Sequence, residues 1–382
     1  MNRERQSVAG YFAILGFVCA AWMSSIDDLK VLLGLDASEF GWILVAGPCG
    51  NFIGLAFAGP LFARLGSRKG LVAVASAYLF AGFGLAFCFL LRATLPVWCL
   101  AIAFWGGCGN LLNIAVNTQG GLVERKLGSP VMNSFHGVFS VMCFVSGVLA
   151  LGAAALSIPV GVRIIGTLVL ATFAHLMIFR SLPVDEQTEP EKGKTWHRPD
   201  RALVMLGFAA FVIMGCEATV CDWVGVYYRE SLGAPESRVK WGFCAVMAAM
   251  TVGRFVSDRL VGCFGPSRIL HVYSVFVSAG LVLALASPCL GLGRLAIQCL
   301  STAGFAIVGF GLSALVPILY SRGGRTKSMP AASAITFLAS MGFLGYFLWP
   351  PLIGHVAGTL SLSAALGIFA VLILGCLFVD PA

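Results

Sequence analysis

Twelve apolar runs, most of them twenty residues or longer, follow one another along the chain at 8–33, 40–62, 70–91, 97–119, 131–156, 158–180, 202–227, 240–261, 269–290, 295–320, 331–354 and 361–379. About 20 apolar residues is the length that crosses a bilayer as a helix. No soluble fold could bury so many. Charged residues make up 11% of the 382, against roughly 25% in soluble domains, and the mean hydropathy is +0.92. The 46 glycines fit helices packed closely in lipid, where small residues let backbones approach. The sequence specifies an all-α membrane protein of twelve transmembrane helices.

A polar stretch at 181–201, with Asp185, Glu186, Glu189, Glu191, Lys192, Lys194, Arg198 and Asp200, divides the runs six and six. The expected organisation is a bundle at 1–180, a linker at 181–201 and a second bundle at 202–382. With both termini placed in the cytoplasm, eighteen of the twenty-five Lys and Arg fall inside, as the positive-inside rule requires. The linker is then cytoplasmic. In a bacterium the chain would be a multi-pass inner-membrane protein. The first run extends past Leu33 without an A-x-A cleavage site, so it reads as a span and not a removable signal.

The halves echo each other. Arg64-Leu65-Gly66-Ser67-Arg68-Lys69 follows the second run, and Phe264-Gly265-Pro266-Ser267-Arg268 follows the eighth. Gly107-Cys108-Gly109 in the fourth run matches Gly309-Phe310-Gly311 in the tenth. Both matches share nearly one offset. Six helices per half make both halves enter from the same side, as parallel repeats.

The formal charge of +8 sits in short loops, with no basic run interleaved with aromatics, so nucleic acid is not an expected partner. The 13 cysteines are scattered and lack zinc or redox spacing, so no metal or other cofactor is expected. No P-loop, HExxH or GxSxG occurs, which argues against ATP-driven transport and against an enzyme.

Ionisable groups inside the hydrocarbon are costly and mark function by default. The seventh run carries Glu217, about 22 Å along the helix from Ala202, and Asp222 nearer the outer face. Desolvation penalises the charged form, so a carboxyl there must pair or take up a proton. Both are candidate proton-coupling residues, with Arg229 as a possible partner of Asp222. Asn110, Asn113 and Asn117 share one face of the fourth helix by their spacing of three and four. That face reads as cavity lining, and the bland alternative is interhelical hydrogen bonding. His136, next to Asn133 in the fifth run, is a further candidate. So are Gln298, Trp223 and Asp28, the last beside Asp27 and Lys30 at a helix end whose bland reading is a solvated terminus. Asp36 and Glu39 read as a capping box.

The chain resembles the major facilitator superfamily over its whole length. The segment from Gly59 to Lys69 resembles that superfamily's Gly-rich basic loop, and its second copy runs from Gly253-Arg254 through Asp258-Arg259 to Arg268. Ala63 and Gly262 stand where the pattern usually has an acid. Asn117-Thr118-Gln119, Val123-Glu124-Arg125, Ser134-Phe135-His136-Gly137 and Asp222-Trp223 are similar to the fucose-permease-like branch, which includes a rhizopine-associated membrane protein. The resemblance implies two bundles rocking about a central site, with Arg64, Arg68, Lys69, Asp258, Arg259 and Arg268 as gating-loop residues. It also implies a secondary active transporter, expected as a monomer, of a small solute. Amides, hydroxyls and a few carboxylates suit a neutral sugar, polyol or cyclitol coupled to protons. The alternatives are a proton-antiporting exporter of amphipathic compounds, or a transport-dead sensor or assembly protein favoured by the missing acids.

Overall fold

The computed structural model describes residues 2–128, 131–183, 198–326 and 330–378. Most of the expected linker, including Lys192 and Lys194, lies outside the described residues, as do the side chains of Asn133 and Asp258. The described part is helical: α1 (Asn2–Met23), α2 (Ile26–Leu33), α3 (Ala37–Leu44), α4 (Ala46–Leu91), α5 (Leu95–Leu127), α6 (Met132–Ala155) and α7 (Val160–Ile178) precede the linker. After it come α8 (Arg201–Val226), α9 (Glu236–Val239), α10 (Trp241–Phe264), α11 (Pro266–Ala286), α12 (Arg294–Gly323), α13 (Ala331–Thr359) and α14 (Leu362–Leu372).

Among the described residues ten helical stretches are long and apolar enough to cross a membrane, and Leu362–Phe378 is a shorter apolar helix. One of the ten, Ala37–Leu91, holds two of the expected spans. A straight helix of its 55 residues would run for about 80 Å, more than twice the hydrocarbon thickness. It breaks at Gly66, whose φ of 71° and ψ of 169° no helix accommodates. Only glycine takes such a conformation cheaply. The basic loop therefore turns on its own glycine.

Local chemistry sets the other boundaries. The backbone N–H of Asp36 donates to Glu39 Oε2 at 3.0 Å, and that of Glu39 donates to Asp36 Oδ1 at 2.8 Å. This reciprocal box starts α3. Asp200 caps α8 by accepting from the Leu203 N–H at 2.8 Å. Glu124, within one of the segments carrying the family resemblance, accepts from the N–H groups of Val131 and Met132 at 2.8 and 2.9 Å. It thereby covers the orphan donors at the start of α6.

The chain divides into two compact units, Met1–Gly34 with Ile43–Glu191, and Leu35–Trp42 with Lys192–Ala382. The second unit takes in the start of α3, where Phe40 sets its ring edge-on to Trp223 at 4.9 Å. Each unit uses the same pairings. The first of its six helices packs on the fifth (α1 on α6; α8 on α13), and the fourth packs on the second and third (α5 on α4; α12 on α10 and α11). The third packs on the sixth (α4 on α7; α11 on α14). Glycines permit the closest crossings. A Cβ at Gly54 would lie 2.6 Å from the Gly107 carbonyl oxygen, and one at Gly280 would lie 2.6 Å from that of Gly304. Backbone-to-backbone packing of this kind maximises dispersion contact where no hydrophobic drive exists.

Candidate functional site

In the second unit, α8 presents two opposite faces. Phe208 is 54% exposed, and Glu217 stands nine residues on, about two and a half turns away and so on the other side. The apolar face suits lipid. On the opposite face Glu217 Oε1 lies 3.7 Å from Arg254 Nη2 of α10, with side chains 24% and 27% exposed. Tyr320 of α12 and Tyr346 of α13 both lie within electrostatic reach of the Glu217 carboxylate, and Tyr346 also within reach of Arg254. A carboxylate and a guanidinium thus meet between α8 and α10, with a phenol of α12 and one of α13 within range of the Glu217 charge. The packing of α8 on α13 fixes the rotation that makes this possible. The Trp349 indole N–H donates to the Phe211 carbonyl at 3.2 Å, its ring lies 5.3 Å from that of Phe211, and Gly215 leaves room for the indole.

Asp222 does not share this face. It stands five residues from Glu217, a turn and almost half another, and fourteen from Phe208, almost four full turns. It is half-buried. Arg229, its expected partner, forms a two-pronged ion pair with Glu236, whose second prong measures 3.2 Å. Trp223 has no exposed surface, and Gln298 is buried where its Oε1 accepts from Arg238 Nη1 at 2.6 Å. In this conformation neither offers a surface on which a solute could stack or hydrogen-bond.

The first unit repeats the two-faced pattern. Phe104 of α5 is 55% exposed, and Asn113 lies nine residues on, on the opposite side. Asn113 is exposed, and Asn110 and Asn117 are half-buried. The row is partly tied up: Asn110 Nδ2 donates to the Asn51 carbonyl at 2.9 Å, and Asn117 Nδ2 donates to Asn113 Oδ1 at 2.6 Å. Asn113 keeps a donor amide on the accessible face. His136 is exposed and rests edge-on against Phe12 at 5.1 Å.

The helix end around the candidate Asp28, whose bland reading is a solvated terminus, is instead buried. Asp28 Oδ2 accepts from Arg163 Nη2 of α7 at 3.0 Å, with side chains only 13% and 8% exposed, and Asp27 and Lys30 are buried beside it. A spacing of 135 residues hides such a pair from any local reading. His175 also escaped the sequence reading. Its Nδ1 meets the Tyr11 hydroxyl at 3.0 Å and its Nε2 meets Ser76 Oγ at 3.1 Å, linking α1, α4 and α7.

Among the loop residues, Arg68 Nη2 donates to the Arg180 carbonyl at 2.8 Å, closing the end of the sixth span. Arg64, Lys69, Arg259 and Arg268 are exposed. The repeat extends to bonds. Ser67 accepts from Gln119 Nε2 at 2.6 Å, and its counterpart Ser267 accepts from Arg322 Nη2 at 2.6 Å.

The sequence profile of the Major Facilitator Superfamily matches residues 7–329. The chain belongs to the Major Facilitator Superfamily. It is 29% identical to an uncharacterized transporter of the same type from Yersinia pestis, over 95% of this chain and 91% of that one. It is 26% identical to the membrane protein MosC of Rhizobium meliloti, over 94% and 85%. Among solved structures, the nucleoside transporter NupG superposes with a TM-score of 0.73 at 11% identity, covering 99% of this chain and 98% of that one. A D-xylose–proton symporter superposes with 0.72 at 15%, covering 98% and 96%. The outward conformation of FucP superposes with 0.65 at 13%, covering 99% and 98%. At such identities the likeness is one of fold: an all-α superfamily transporter spanning the membrane many times.

Arg254, which opens the second copy of the basic-loop pattern, stands thirteen residues into α10, about 20 Å along it from Trp241. That depth was available from the span boundaries alone. Tyr320 and Tyr346 left no signal, because an aromatic in an apolar span looks like packing.

Proposed function

We propose that this superfamily member is a secondary active transporter that moves a small neutral hydroxylated solute, such as a sugar, polyol or cyclitol, by alternating access. Glu217 carries the coupling proton. The observation behind this reading is the Glu217–Arg254 pair, partly open on the side of α8 away from the exposed Phe208. A carboxylate whose charge can be compensated either by a guanidinium or by a bound proton can change its protonation state within the cycle, which coupling requires. The exposed amide face of α5 supplies uncharged donors and acceptors suited to hydroxyl groups. The named activities of two fold neighbours, a D-xylose–proton symporter and a fucose–proton symporter, support the choice of cargo and ion.

The loop residues Arg64, Arg68, Lys69, Asp258, Arg259 and Arg268 act in this reading on conformation and not on cargo. Both termini and the linker are cytoplasmic, and the monomer is the working unit.

Reconstituted liposomes offered labelled D-xylose, L-fucose and myo-inositol, with and without an inward proton gradient, test the proposal. Gradient-dependent accumulation is expected for at least one probe. Glu217→Gln should still exchange that probe across the membrane but fail to concentrate it. Normal accumulation by the variant would move coupling away from Glu217.

A further inference from the structure

We infer that Glu217 and Arg254 form a subsite that binds a vicinal diol of the cargo, one hydroxyl donating to the carboxylate while its neighbour accepts from the guanidinium. The inference rests on the proposed function and names the chemical group that the site reads.

The 3.7 Å between Arg254 Nη2 and Glu217 Oε1 exceeds the roughly 3.2 Å reach of an N–H···O hydrogen bond. The two side chains attract by charge without being joined. Among the described residues the Glu217 carboxylate accepts no hydrogen bond, although it has about four lone-pair positions to offer. Arg254 has about five N–H donors in a planar fork, so other partners leave room for one directed at a ligand. About a quarter of each side chain is exposed, Glu217 on the side of α8 opposite Phe208 and Arg254 reaching it from α10.

Charge decides the class of ligand. An anion drawn to Arg254 would meet the adjacent carboxylate, and a cation drawn to Glu217 would meet the guanidinium. A neutral group that donates at one end and accepts at the other satisfies both. Hydroxyls on adjacent carbons in the gauche arrangement are such a group, and they can span the open pair like the rungs of a ladder. Tyr320 and Tyr346 lie within electrostatic range of the Glu217 charge, and the Tyr320 hydroxyl is engaged with Met214 Sδ at 3.7 Å. A lone hydroxyl can donate to the carboxylate while accepting from the guanidinium, but a diol gives each partner its own oxygen at an unstrained angle, so the second hydroxyl adds binding that a single one cannot supply.

Equilibrium binding to the full-length protein in lipid nanodiscs tests this, with myo-inositol and D-xylose as diol probes and cyclohexanol as the single-hydroxyl control. At least one diol probe should bind, and cyclohexanol should bind at least twentyfold more weakly. Glu217→Gln keeps one acceptor oxygen and should hold Kd within about fivefold. Glu217→Leu removes both oxygens, Arg254→Leu removes the donors, and each should weaken binding at least twentyfold. Arg254→Lys, which restores charge and donors, should recover part of the loss and shows that the site is folded. If both leucine variants bind the probe as tightly as the parent, the subsite is overturned while proton-driven polyol uptake still stands. If the parent protein neither binds nor transports any polyol, the hydroxylated-cargo reading itself falls and takes the subsite with it.

Discussion

Arg254 on α10 faces Glu217 on α8 across 3.7 Å with about a quarter of each side chain open, whereas Arg163 on α7 grips Asp28 at 3.0 Å almost out of reach of solvent. The two ion pairs are physically different objects. Partial exposure screens the first and lets it open, while burial makes the second costly to break.

For the exposed pair the effect should appear in transport and not in folding. A double-mutant cycle with Glu217→Gln and Arg254→Gln should give a coupling energy below about 1 kcal/mol in unfolding experiments. The same single variants should each abolish gradient-driven accumulation. A coupling of several kcal/mol would make the pair structural.

For the buried pair the order reverses. Arg163→Leu removes the guanidinium bonded to Asp28 in a buried setting and should cost about 3 kcal/mol of stability. Adding Asp28→Leu should recover much of that loss. Thermal unfolding in detergent reads both, and equal stability of the single and double variants would contradict the assignment.

The contact that orients α8 can be graded. Trp349→Phe keeps a six-membered aromatic ring but loses the pyrrole half of the indole and with it the hydrogen bond to the Phe211 carbonyl, the bond itself worth about 1 kcal/mol. Gly215→Val forces a side chain into the space the indole fills and should cost more, about 3 kcal/mol. If Trp349→Phe proves the more damaging of the two, the hydrogen bond matters more than the close approach.

Topology rests on the distribution of basic residues and is open to direct labelling. Lys194→Cys should stay unlabelled when an impermeant thiol reagent is applied to intact cells, and should react once they are opened. Labelling from outside would invert the orientation.

Much of this protein was written locally. The spans follow from runs of apolar residues, and the break within Ala37–Leu91 falls at the glycine of the basic loop. The Asp36–Glu39 box closes as its spacing requires, because every atom involved lies within one turn. Glu217 stood out because a carboxylate in an apolar run is conspicuous whatever surrounds it.

What the sequence could not decide was who meets whom. Asp28 looked like a solvated helix end until α7 brought Arg163 to it from 135 residues away. Trp223 looked available to a ring until Phe40 and its neighbours enclosed it. Arg254 lay within the eighth apolar run, but nothing local paired it with Glu217 until the crossing of α8 and α10 set the two together. Hydropathy and capping act over one or two turns and can be read in order along the chain. Side-chain partnership depends on how each helix is rotated about its axis and where it crosses its neighbours, and only the packed tertiary structure sets those two quantities.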